Sequence, residues 1–553
     1  MDKDTTVPPF RSRRENRLTD IADRDTAVES SELHHANTLF RRAAPTIIGI
    51  TVAAVFLALY RPFPVGVAQD DGLYMILAKA LATGQGYRFI NLPGAPAGVH
   101  YPPGYPVLLA AVSKLAEGIP GNPWVFAAAN AGFLGIGAAF LFVLARRTGM
   151  GAPLSCVCAL AGFLMAPALW MNTALLSEPM WLGLAIPWLV WADAAERREE
   201  LDARTALMLG ATAGCIALVR SQAATLALAL VVVLALRRRW KPAALVMLAA
   251  VVVVAPWQLW VARHSSDIPA ALSAKYGPYT SWLIDGLRSG GPRLVVATVT
   301  HNVASSLAIL QAMFVPIGGA ALAVALLGVP GIAAAWRLAR RNPVVFTAIV
   351  AHAAIIVALP FEPQRYIWTS WPLVVFWLCA GAAELWELTQ SPTVGQSSRA
   401  RLAVAANLGV LALAGAGTTA FMLSTGAYRT IARGQQQRIE PTLAWVRQHT
   451  AANTVVASDD ETAVFLYTGR QAVPATSSRA ADYQRGDGLT ASPLAVVVTS
   501  YRPDIAIVSW KGSIDAAMRM SNGSHPSLRQ IDQTASGVIF ERVRSANERP
   551  YAR

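Results

Sequence analysis

Long apolar runs separated by short polar stretches dominate the chain. Residues 43–60, 124–145, 154–170, 243–261, 343–360 and 401–424 are almost free of charge and approach or exceed the ~17–25 residues that span a hydrocarbon core. A soluble helix of that length carries a polar face, so these runs predict membrane spans. Threading from a cytoplasmic N-terminus places spans at 43–60, 123–145, 152–171, 177–194, 205–219, 222–236, 243–261, 303–328, 343–360, 368–388 and 402–424. That is a polytopic α-helical membrane protein of about eleven transmembrane helices, and the odd number puts the tail outside.

Between the spans, two segments stand out. The first outside loop, 62–122, contains a helical pattern at 72–83 and a short apolar helix at 106–115 that starts at Pro-Pro-Gly and holds Lys114. It is too short to cross, so both read as juxtamembrane or re-entrant helices. A second long outside loop runs over 262–302. The tail alternates strand-like runs at 454–457, 505–510 and 537–542 with helical stretches at 440–449 and 462–467. That alternation predicts a small extracytoplasmic α/β domain of about 110 residues. Residues 478–490 are polar and read as a loop. The domain division is therefore a disordered cytoplasmic arm at 1–42, a transmembrane domain at 43–424 and the α/β domain at 425–553.

Composition agrees with this layout. Hydrophobic residues make up 54% of the chain and charged residues 14%, against roughly 25% charged in an average soluble domain. The net charge of +14 points away from nucleic acid because of where the charges fall. Arg41 and Arg42, Arg146 and Arg147, Arg197 and Arg198, Arg237 to Arg239, Arg340 and Arg341, and Arg399 and Arg401 each end an apolar run. That is the positive-inside pattern. The 4 cysteines all lie in apolar runs and form neither a disulfide framework nor a metal site. The polar N-terminal arm lacks a cleavable leader pattern.

With the chain threaded this way, ionisable groups collect on the outer face. They are Asp70 and Asp71, His100, Glu178 in Leu-Ser-Glu-Pro, Arg220, Lys275 with Tyr276, and Arg365 with Tyr366. Each has a plain structural reading: a solvated loop for the aspartates, a helix N-terminus for Glu178, and snorkelling for the arginines. The acidic run Asp459, Asp460 and Glu461 reads as a solvated helix start. Charges at the bilayer edge are nonetheless costly unless paired or lining a wet cavity, so a one-sided set suggests a site.

The order of these groups resembles the GT-C glycosyltransferase superfamily, in the branch of protein O-mannosyltransferases and aminoarabinose transferases. The resemblance rests on Asp-Asp-Gly-Leu-Tyr with an Ala-Leu-Ala helix (70–82), Gly-Tyr-Arg (86–88), Tyr-Pro-Pro-Gly-Tyr-Pro (101–106), Leu-Ser-Glu-Pro (176–179) and Leu-Val-Arg-Ser (218–221). Pro256-Trp257 and Gln364-Arg365-Tyr366 complete it, so it covers about residues 45–390.

This resemblance implies a polyprenyl-phosphate-linked sugar donor, membrane lipids as surroundings, and transfer to an extracytoplasmic acceptor in a bacterial inner membrane. It implies Asp70 as the general base, with Asp71 or Glu178 supplying negative charge to an oxocarbenium-like transition state. Arg365 with Tyr366, and Arg220, would hold the donor phosphate, with Tyr101, Lys275 and Tyr276 forming the substrate loop. Several members use a divalent metal ion near the phosphate, for which His100 is the candidate ligand. Around the prolines, however, this chain has His100-Tyr101 and Gly104 where the aminoarabinose branch has an acidic and a basic residue. The alternatives are a lipid or solute transporter, which would want polar groups at the membrane midplane, or a non-catalytic cell-envelope assembly protein of the same fold.

Overall fold

The computed structural model describes residues 42–62, 64–116, 121–172, 174–269, 272–316, 319–359, 361–390, 398–476 and 494–544. The arm at 1–41 and the loop expected at 478–490 lie outside the described residues.

Seven described helices are long and apolar enough to cross a membrane: Arg42–Leu59, Pro123–Arg147, Trp240–Asp267, Gly291–Phe314, Ala320–Arg341, Trp371–Gln390 and Arg401–Ser424. Shorter apolar helices, including Ala152–Leu164, Ala203–Ala217 and Pro343–Ala358, pack among them, as does Glu178–Glu196. The expected span at 152–171 is broken at Met165, because Pro167 in the following Ala166–Asn172 helix lacks the N–H for its turn.

The basic clusters gather at one end of the bundle. There Arg337 is buried between Glu384 (3.0 Å) and Glu387 (2.9 Å), Arg197 pairs with Asp193 at 3.0 Å and Arg237 with Glu196 at 2.7 Å. Glu178 begins the helix that ends at Glu196, so it stands at the opposite end, with the two juxtamembrane helices Asp70–Ala82 and Gly104–Leu115.

Two expectations are corrected here. The outside loop expected at 262–302 is largely helical, since Tyr279–Phe314 is helix with a kink at Gly291 (φ 57), just before Pro292. The span expected at 303–328 does not exist as one element, because the chain leaves helix after Phe314 and re-enters at Ala320. Asn302 donates to the carbonyls of Val357 (3.2 Å) and Leu359 (2.6 Å), and Phe314 stacks on Trp371 with centroids 5.3 Å apart. Both partners lie at the Glu178 end, which keeps Asn302–Phe314 against that end. Ala320–Arg341 instead runs from that end to the Arg337 ion pairs at the other.

The tail carries a five-stranded sheet: β1 (Val455–Ser458), β2 (Gln471–Pro474), β3 (Ile505–Val508), β4 (Leu528–Thr534) and β5 (Gly537–Arg542), ordered β2-β1-β3-β5-β4. β1 pairs parallel with β2 (Val456 opposite Ala472) and with β3 (Val456 opposite Ile505), while β5 is antiparallel to β3 and β4. The parallel strands are buried along nearly their whole length, as expected where helices cover a parallel sheet. The outer strand β4 is mostly exposed.

The reading of 459–461 as a solvated helix start is also corrected. Asp459 accepts from the backbone N–H groups of Ser509 (2.7 Å) and Trp510 (2.9 Å) and from Ser513 Oγ (2.7 Å). Asp460 takes both ends of the Arg438 fork at 2.7 Å, and Glu461 is fully buried.

Candidate active site

The first juxtamembrane helix begins at Asp70 through an unusual turn. Gln69 has φ 72 and ψ −65, and the Asp70 N–H donates to the Ala68 carbonyl at 2.9 Å. That is a γ-turn of the strained hand, which persists only where the surroundings over-determine it. Its effect is to place Asp70 and Asp71 in different environments. Asp71 is 1% exposed and turns back into the loop, accepting from the N–H groups of Gly66 (3.0 Å) and Gly72 (2.8 Å). Burial pushes its carboxyl up to about 7 against those two donors. Asp70 keeps 22% of its side chain open and faces a cavity of about 230 Å³.

Four further motifs converge around Asp70. The Gly104 N–H donates to the Leu218 carbonyl at 2.8 Å, and a Cβ on Gly104 would stand 2.7 Å from that oxygen. Only glycine lets the Pro-Pro-Gly turn press against the Leu-Val-Arg-Ser turn. The Tyr101 hydroxyl donates to Asp70 Oδ1 at 2.6 Å. Arg365 Nη1 donates to Asp70 Oδ2 at 2.6 Å, and its Nε (3.2 Å) and Nη2 (3.0 Å) reach Glu178 Oε1. Arg220 Nη1 pairs with the same Glu178 at 2.9 Å and donates to Ser177 Oγ at 3.2 Å. Ser177 in turn meets the Tyr74 hydroxyl at 3.1 Å.

The result is a network of two carboxylates and two guanidiniums at the edge of the bundle, balanced in charge. Burial works to raise the Asp70 carboxyl, but Arg365 and the Tyr101 hydrogen bond hold it below the usual carboxylate value. Burial works to lower the Arg365 guanidinium, but Asp70 and Glu178 keep it well above its ordinary value and charged. Tyr74, Tyr101, Tyr279 and Tyr366 give the cavity aromatic walls, with Ile355, Leu359 and Phe361 forming an apolar side.

Asp70, Glu178, Arg365, Tyr366, Arg220 and Tyr101 are thus brought together. Lys275, Tyr276 and His100 are not among the residues lining the cavity. Lys275 is paired with Glu461 at 2.6 Å, and the Tyr276 hydroxyl donates to Glu461 at 2.9 Å. The His100 ring sits beside the Gly277 carbonyl through Nδ1, and burial lowers its pKa.

Among the described residues no three His, Cys, Asp or Glu side chains are placed together to hold a metal ion. Both Asp70 oxygens and Glu178 Oε1 are occupied by Arg365, Tyr101 and Arg220. Glu178 Oε2 is buried without a hydrogen-bond partner among the described residues, and no step below passes through a metal ion. Sequence reasoning missed Tyr74, Ser177, Tyr279 and Gln222, which accepts from Arg220 Nη2 at 3.3 Å. The first two lie inside the Asp-Asp-Gly-Leu-Tyr and Leu-Ser-Glu-Pro motifs, but nothing in Tyr279 marks it before the chain is folded.

No family model matches the sequence, and no curated protein matches it either. A solved structure does: the crystal structure of ArnT from Cupriavidus metallidurans bound to undecaprenyl phosphate superposes with a TM-score of 0.52 over 91% of this chain and 98% of that one, at 14% identity. The chain therefore shares the overall fold of ArnT.

Proposed function

We propose that this cavity transfers a sugar from a polyprenyl-phosphate carrier to an extracytoplasmic lipid, glycan or protein acceptor, with Asp70 as general base. The observation that carries the reading is Arg365 bridging Asp70 and Glu178 on the wall of a cavity at the bundle edge. A base and a phosphate-binding fork stand within one hydrogen bond of each other, and a prenyl tail has apolar helices to lie between. The fold neighbour supports it, since ArnT was crystallised with undecaprenyl phosphate.

In this reaction the acceptor hydroxyl or amine attacks the anomeric carbon, and the bond from that carbon to the phosphate oxygen breaks. The acceptor's proton passes to Asp70, held ionised near neutral pH by Arg365 and Tyr101. The departing phosphate takes the bonding pair and is met by Arg365, whose fork matches phosphate geometry, with Arg220 behind it. Glu178 contributes negative charge near the oxocarbenium-like centre and anchors both guanidiniums. An incoming phosphate competes with Asp70 for Arg365, so donor binding frees the base as it fills the site.

Purified protein incubated with polyprenyl-phosphate sugars should release free polyprenyl phosphate in step with sugar transfer. A carrier that stays fully loaded with every sugar tried contradicts the reading. We further propose a bacterial plasma membrane with the site outside, because the basic clusters crowd the opposite end. A reporter that works only outside the cytoplasm should be active when fused after Ser424 and silent after Arg239, and activity at Arg239 would reverse the orientation.

A further inference from the structure

The tail domain touches the site through two neighbouring side chains. Thr462 Oγ1 donates to the Gly66 carbonyl at 2.8 Å, and the Gly66 N–H donates to Asp71 at 3.0 Å. A Cβ on Gly72, the residue after the acidic pair, would stand 2.5 Å from Thr462 Oγ1. This contact therefore grips the strained turn that presents Asp70. Glu461, fully buried, takes Lys275 Nζ at 2.6 Å and the Tyr276 hydroxyl at 2.9 Å. Asn91 Nδ2 closes this knot by donating to Tyr276 at 2.9 Å and to the Ala472 carbonyl of β2 at 3.2 Å.

The next residue along, Gly277, meets His100 through its carbonyl. His100 packs against Tyr101 and Tyr279 with ring centroids 4.5 and 4.3 Å apart. Tyr101 is the donor to Asp70. One tether thus fixes the backbone beside the carboxylate, and the other fixes its hydrogen-bond partner.

We propose that Glu461 and Thr462 are positioning residues that hold the Asp70–Tyr101 pair in register for proton transfer. This rests on the sugar-transfer reading above. It gives the tail domain a part in the chemistry without contact with the substrate, and it accounts for Lys275, Tyr276 and His100 as links in the tether. A γ-turn at a non-glycine residue relaxes unless it is held. Glu461 and Thr462 supply the hold from the far side of the loop.

The test uses the full-length protein carrying Glu461→Gln or Thr462→Val. Glu461→Gln keeps the shape but leaves the Lys275 ammonium facing a neutral amide. Thr462→Val removes one hydroxyl, so it stands in if the first variant does not fold, as thermal melting will show. The primary readout is independent of activity: modification of Asp70 by a carbodiimide, which reacts with the protonated carboxyl, followed against pH by mass spectrometry. The groups around Asp70 are Arg365, Arg220, Glu178, Asp71, His100 and Tyr101, and the variants displace the Tyr101 bond while leaving both arginines in place.

The half-modification pH should rise by about one unit in each folded variant, because a bond to the ionised form is lost. Turnover should fall about tenfold to a hundredfold, as for a small misplacement of the base, with the donor KM unchanged. A folded variant with the wild-type modification profile and turnover overturns the proposal. Wild-type protein that releases no polyprenyl phosphate counts against the transfer reading alone, because the modification profile still judges the tether.

Discussion

Asp70→Asn is expected to lower turnover by about 10²–10⁴, the usual range for losing a general base, while the protein still folds and binds donor. The amide fills the same space and can keep the Tyr101 hydrogen bond through its oxygen, but it cannot take the acceptor's proton. Asp71→Asn should cost far less turnover. Asp71 is sealed in the loop and spends its oxygens on the N–H groups of Gly66 and Gly72, so its loss is felt as stability, about 1–3 kcal/mol for a buried group left unpaired. Steady-state kinetics and melting curves for the two variants separate the roles. The pH profile adds a sign. Arg365 and Tyr101 hold the Asp70 carboxyl of the free enzyme below its ordinary value, so wild-type kcat/KM, which reports the free enzyme, should persist as pH falls through the usual carboxylate range and be lost only below it. Near-wild-type turnover in Asp70→Asn would move the base to Glu178.

Arg365→Ala carries the other large effect, and it falls on binding. Among the described residues the guanidinium is the one group that hydrogen-bonds both Asp70 and Glu178. Its removal deprives the donor phosphate of a charge-assisted fork, worth about 1.5–3 kcal/mol for a bond to a charged group, or roughly tenfold to a hundredfold in donor affinity. Asp70 of the free enzyme loses its charged partner at the same time, so its carboxyl rises and the acid limb of kcat/KM moves to higher pH. Arg365→Lys should fall between the two, since a single ammonium keeps the charge but cannot span both carboxylates as the fork does. Isothermal titration with polyprenyl phosphate reads the affinity directly. Unchanged affinity in Arg365→Ala would reject the phosphate assignment.

Much of the site was legible before folding because the bilayer sorts residues for the reader. Charges at the ends of apolar runs must be paired or wet, so Asp70, Glu178, Arg220 and Arg365 stood out one by one, and a shared outer face made their meeting expected. The first juxtamembrane helix was expected at 72–83 and is found at Asp70–Ala82; the last strand was expected and found at 537–542. Other features left no local signal. β4 reads Leu-Arg-Gln-Ile-Asp-Gln-Thr and is polar because it lies at the sheet edge. β2 is only four residues long and ends in proline, so neither periodicity nor length marks it.

The misplaced span at 303–328 shows how hydropathy fails where two apolar helices follow each other across a short break. Glu461 reads as a solvated helix start in the sequence and is buried in the fold for one reason. Its partner, Lys275, lies 186 residues away, and a charge looks solvated until its partner is found. The γ-turn at Gln69 is a product of tertiary tethers, and its sequence, Val-Ala-Gln-Asp, gives no sign of it.

The central claim is that a carrier phosphate docks on Arg365 within reach of Asp70. A structure of the protein determined with bound polyprenyl phosphate tests it most directly. The expected result has the phosphate within hydrogen-bond distance of Arg365, Arg220 behind it, the prenyl chain leaving along the apolar side near Ile355 and Leu359, and the Arg365–Asp70 contact lengthened. A phosphate bound outside this cavity, with the Arg365–Asp70 pair undisturbed, would contradict the account.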